Sequence, residues 1–88
     1  MNKRVAAFFE SHGFTLEQTG GGCSAWIRHD FDNQETMVTG ADPVAPAAWG
    51  DFVSVTTVVD GVFGEPRTWD TVREFKAEVE RNFVGHIL

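Results

Sequence analysis

The residues able to do chemistry are few and scattered. Cys23 is the one thiol, and the histidines stand at His12, His29 and His86. A thiolate nucleophile needs a base within hydrogen-bond reach and a lowered pKa, and nothing in the spacing brings a histidine to Cys23. Cys23 shares its strand face with Ala25 and Ile27, the setting of a small buried hydrophobe. No serine stands in a G-x-S-x-G context. The cluster His29, Asp30, Asp32 and Glu35 approaches a calcium loop, but Gln34 and Glu35 occupy the fifth and sixth places, where Asp or Asn and then Gly are required. Zinc would need three or four nitrogen or sulfur ligands at short spacing. Gly20-Gly21-Gly22-Cys23-Ser24-Ala25 can be laid on a GxGxxA pattern, which holds a pyrophosphate only when a helix follows. Trp26-Ile27-Arg28 instead continues a strand, so the glycines read as a hairpin turn. Carboxylates are numerous, but they fall in turns or on an outer helix face, where nothing raises the pKa as a general acid requires. The expectation is a non-catalytic chain without cofactor or metal. The enzymatic or small-ligand alternative would work through Cys23.

Contact residues are the better candidates. Trp49 lies in a Pro-rich loop beside Asp51, as an interface anchor or as a lid over the open end of a core. Trp26 falls on the strand face opposite Ile27, so either the far sheet face is covered or Trp26 marks a contact. With Asp30, Asp32, Asp42 and Asp51 these two make up the candidate partner surface. Trp69 suits a strand-to-helix junction.

The charge layout points the same way. Residues 29–66 hold Asp30, Asp32, Glu35, Asp42, Asp51, Asp60 and Glu65 and no Lys or Arg, a charge of −7 within a chain of net −6. Such a surface repels phosphate backbones, which disfavours direct nucleic-acid binding. It attracts a basic partner; the plainer reading is that acids keep a β-rich protein in solution.

The elements that must position these residues follow from periodicity. With 88 residues the chain makes one domain, 1–88. Residues 3–12 carry Val5, Phe8 and Phe9 at helical spacing, with Asn2 as cap and Gly13 as stop. Residues 14–19 and 23–29 alternate as a hairpin around the three glycines. Phe14 and Leu16 point one way. Cys23, Ala25 and Ile27 share one face of the second strand, and Ser24, Trp26 and Arg28 the other. Residues 30–34 read as a turn, 35–39 as a third strand and 40–51 as a long loop. Phe52 to Val59 is the strongest strand, with Val53, Val55 and Val59 toward the core. Asp60-Gly61 turns into Val62 and Phe63, and Pro66 marks an edge. A last helix starts near Asp70 or Thr71 with capping-box spacing to Glu74. It aligns Val72, Phe75, Val79 and Phe83 and stops at Gly85. The predicted fold is α+β, in the order α-β-β-β-β-α. Four to five antiparallel strands carry both helices on one face, and the other face, with Thr15, Glu17, Ser24 and Arg28, is solvated.

The stretch Gly13-Phe14, Leu16, Thr19-Gly20-Gly21-Gly22-Cys23 and Ala25-Trp26 resembles short uncharacterised proteins of bacteriophages and mobile elements. The resemblance covers about fourteen residues and implies an origin and an accessory role, with no activity attached. One cysteine allows no internal disulfide. The apolar run after Met1 ends at Glu10, short of a secretory core of about 7–15 residues, and no segment approaches the roughly 18 apolar residues of a membrane span. The expected location is the cytoplasm. The expected role is a protein-interaction module for a partner with a basic surface. The alternative of a homo-oligomeric structural module, such as a homodimer, stays open.

Overall fold

The computed structural model describes residues 2–42 and 44–81. Its elements are α1 (Lys3–Ser11), β1 (Thr15–Gly20), β2 (Cys23–Phe31), β3 (Gln34–Thr39), β4 (Val53–Val59), β5 (Val62–Phe63), β6 (Arg67–Trp69) and α2 (Val72–Arg81). This is the expected α+β arrangement, with an antiparallel sheet between an N-terminal and a C-terminal helix. No described helix is long and apolar enough to cross a membrane.

Local signals set the element ends. Asn2 Oδ1 accepts from the amides of Arg4 and Val5 at 2.8 and 3.4 Å, satisfying two orphan donors of α1. Gly13 leaves the helix at φ +87°, and the Phe14 amide folds back to the Phe9 carbonyl at 3.1 Å. The turn from β1 to β2 carries φ of +104°, +60° and +81° at Gly20, Gly21 and Gly22, which only glycine adopts in series without strain. Thr71 Oγ1 accepts from the Glu74 amide at 3.1 Å and starts α2. The predicted contributions of Phe83 and Gly85 lie outside the described residues.

The strands pair in the order β1-β2-β3-β4-β5, all antiparallel, and β6 also pairs with β4. β5 and β6 form one interrupted return strand along β4. Val58 and Val59 face Phe63 and Val62, whereas Val53 to Val55 face Trp69 to Arg67. Between them the Gly64 amide reaches the Thr57 carbonyl at 2.8 Å, and Pro66 has no amide to give. β6 was not expected, because three residues with one apolar side chain carry little strand signal.

Residues directly opposite each other in an antiparallel ladder share a face. The row Leu16, Trp26, Val38, Val55 is therefore on one face, and it is the face that both helices cover. Val5, Phe8 and Phe9 of α1 and Val72, Phe75 and Val79 of α2 join Phe14, Trp26, Val38, Val53 and Val55 in one cluster. Trp26 is 1% exposed and stacks on Phe9, with ring centroids 5.1 Å apart and planes at 15°. This corrects the expected facing of β2. Ser24, Trp26 and Arg28 point to the helices, and Ala25 and Ile27 to the opposite face. There Thr15 and Glu17 are their cross-strand partners. Burying the indole against α1 removes more apolar surface from water than burying Ala25 and Ile27 there would. Ala25, Ile27 and Val58 remain buried among neighbouring strands.

β2 also anchors the 40–52 loop. The Trp26 indole N–H donates to the Pro46 carbonyl at 3.1 Å, and Ser24 Oγ accepts from the Ala45 amide at 3.0 Å. Both helices start at this loop: the Asn2 amide donates to Ala47 O and the Arg73 amide to Trp49 O.

Candidate functional site

Opposite the loop, the ends of β2, β3, β4 and β5 meet. β2 runs through Asp30 and Phe31, two residues that the sequence placed in a turn. A bulge between His29 and Phe31 absorbs the extra residue, and Phe31 still opposes Gln34. Gln34 in turn opposes Val59, and Val59 opposes Val62. The two turns at this end are tied together. The Asp60 amide donates to Asn33 O at 2.8 Å, and Asn33 Nδ2 donates to Asp60 Oδ1 at 2.7 Å. Asp60 sits at φ +53° and Gly61 at +79°, the tight hairpin geometry that Asp-Gly encodes.

This end of the sheet is apolar and uncovered. Phe31 is 71% exposed, Val62 69%, Phe63 62% and Val59 41%. Only Leu16 and Val44 among the other large described hydrophobics are comparably exposed. Asp32, Asp60 and Glu65 are exposed beside the patch. The register puts Phe31, Val59 and Val62 on one face of this end and Phe63, opposite Val58, on the reverse face. Exposed apolar surface rimmed by polar groups is the signature of a contact site.

The predicted contact residues are not brought together here. Trp26 is core and reaches no partner. Trp49 is half-buried on the other end of the core, 6.3 Å from Phe8 between ring centroids. Asp30 is 15% exposed; its carboxylate accepts from Arg28 Nε at 2.5 Å and from Thr36 Oγ1 at 2.6 Å. Arg28 also lies 5.1 Å from the centroid of Phe14 and reaches His12 O at 3.5 Å. The Arg28–Asp30–Thr36 network therefore locks β2 to β3 and to the end of α1, and the expected solvated setting of Arg28 is corrected. Asp51 Oδ2 accepts from the Ala47 and Ala48 amides at 2.8 and 3.0 Å, holding the loop. Asp42 and Asp51 line a shallow pocket of about 310 Å³ beneath that loop. Only Asp32 of the set stands at the apolar tip. Phe31, Val59, Val62 and Phe63 were missed as contact residues; the strand register gathers the first three on one face and leaves Phe63 on the other.

Cys23 is half-buried and free. On its own strand, His29 stands six residues away, about 20 Å at strand rise. His29 instead lies between Glu17 and Glu35, at 3.6 and 3.4 Å. Trp69 occupies the junction as expected; its indole N–H donates to Glu78 at 2.8 Å and its ring meets Phe75 edge-on at 4.8 Å. Among the described residues no three His, Cys, Asp or Glu side chains gather as a metal group. No protein-family model, curated protein or solved structure matches the chain.

Proposed function

We propose that the chain is a non-catalytic protein-interaction module that docks a partner's basic, apolar surface on the tip of its sheet. The observation that carries this reading is the exposed row Phe31, Val59 and Val62 on one face of the sheet end, set beside Asp32, Asp60 and Glu65 in a segment that has no Lys or Arg. Apolar area supplies the affinity, and the acids set the approach rate and the choice of partner. Two copies meeting tip to tip would press like charges together, so the charge layout favours a different, basic protein over a symmetric homodimer. The resemblance of residues 13–26 to short phage and mobile-element proteins fits an accessory role of this kind, acting in the cytoplasm.

The test is capture from nuclease-treated lysate of the source organism, with wild type beside Phe31→Ser/Val62→Ser. The reading expects a basic partner on the wild type that salt elutes and the double variant does not retain. Equal retention by both would sink it.

A further inference from the structure

We propose that the cleft between the two helix starts is a second binding site, for a small phosphorylated ligand that carries a flat ring. It lies at the opposite end of the strands from the acidic tip and does not depend on that reading. The cleft has a volume of about 420 Å³ and is lined by Arg4, Trp49, Arg73 and Lys76. It is a depression wide open to solvent, so a ligand there would lie on the surface, held by side chains from one side. The chain has seven Lys and Arg against thirteen Asp and Glu, yet three of the seven converge here.

The placement of these cations works against the fold. Lys3 and Arg4 open α1, whose first turn holds no acid, and Arg73 stands in the first turn of α2 beside Glu74. The positive end of a helix dipole repels cations and favours anions. Among the described residues Arg4 and Arg73 form no ion pair, and Lys76 has an i,i+4 contact with Glu80 at 2.7 Å. An incoming anion would relieve this repulsion. Four of the helix-start amides are taken: Asn2 holds those of Arg4 and Val5, Thr71 holds that of Glu74, and Trp49 O holds that of Arg73. Recognition therefore falls mainly to the side chains.

Their chemistry selects the ligand. A phosphomonoester carries a charge of about −1.5 to −2, which Arg4 and Arg73, with Lys76 shared by Glu80, match better than they match a single carboxylate. Two guanidinium groups offer planar, paired donors to phosphate oxygens, and the ammonium adds a point charge. Trp49 packs on Phe8 and still lines the cleft, so its indole gives a flat ring an apolar wall to lie against. A polyanion would meet the acidic remainder of the surface, which restricts the ligand to a small one.

Adenosine monophosphate is the probe, with inorganic phosphate and adenosine as comparators. Binding is read by amide NMR shifts and by indole fluorescence, and Trp49→Phe assigns the optical signal against Trp26 and Trp69. The expected result is saturable binding with Kd below ~1 mM, centred on residues 4, 49, 73 and 76. Inorganic phosphate and adenosine should each bind at least about tenfold more weakly, since each offers half of the contacts. Arg4→Gln/Arg73→Gln, both at exposed positions, should keep the far-UV spectrum and lose at least about tenfold in affinity. Three results would overturn the proposal: no saturation, equal affinity for inorganic phosphate, or an unchanged Kd in the double variant. A concentration-dependent mass that this variant abolishes would also overturn it, by placing the acidic tip of a second copy in the cleft.

Discussion

Replacing Trp26 by Phe keeps a ring against Phe9 and removes two things. The indole N–H that donates to Pro46 O at 3.1 Å is lost, and the volume of the fused five-membered ring is left empty. A buried carbonyl without its donor costs about 1–3 kcal/mol. The void, about 40 Å³, adds about 1 kcal/mol at ~24 cal/mol per Å³. The sum is about 2–4 kcal/mol, a large part of the ~5 kcal/mol expected for a domain of this size. At about 4–8 °C per kcal/mol the melting temperature should fall by roughly 8–32 °C. The assay is paired urea and thermal unfolding followed by circular dichroism. Phe31→Ala is the counterpart: its ring is 71% exposed, so stability should change by no more than about 0.5 kcal/mol. A Trp26→Phe loss below about 1 kcal/mol, or a Phe31→Ala loss above it, would refute the assignment of the first ring to the core and the second to the surface.

Three more outcomes follow from the same contacts. Arg28→Met strips the mostly buried Asp30 of its charged donor, leaving Thr36; urea unfolding should show a loss of about 1–3 kcal/mol, recovered in part by adding Asp30→Asn. Asp51→Ala frees the Ala47 and Ala48 amides, so hydrogen exchange should rise in residues 45–51 with a stability loss of about 1–2 kcal/mol. Gly61→Ala forces a side chain into φ +79°, costing about 1–2 kcal/mol and shifting the amide NMR signals of Val62 and Phe63.

The parts of the fold legible in the sequence are those set by one or two neighbouring residues. Asn2, Gly13, the three glycines, Asp60-Gly61 and the Thr71/Glu74 pair each encode a backbone state through their own chemistry. The facing of β2 was not legible. Alternation divides the strand into two sets but cannot say which set meets the helices when each contains apolar residues. Phe31 was lost for a related reason: Asp30, Asp32 and Asn33 imitate a turn, and only the bulge lets the strand run on. Val53 and Val55 were legible as core. Val59, on the same face, is 41% exposed because no described helix reaches over that end of β4. For the candidate site, the acidic segment is visible in the composition. The apolar centre is not, because it is built from one or two residues on each of three strands. The tryptophans misdirect, because a ring suited to an interface is equally suited to a small core.

The docking role of the tip is tested most directly by one comparison on the captured partner, between wild type and Phe31→Ala/Val62→Ser. Burying a phenylalanine or valine side chain fully contributes about 1.5–3 kcal/mol, so two side chains left 71% and 69% exposed on one face carry about 2–4 kcal/mol between them. The account predicts a Kd weakened by at least about thirtyfold, with a melting temperature within a few degrees of wild type. An unchanged Kd in a folded double variant would contradict it.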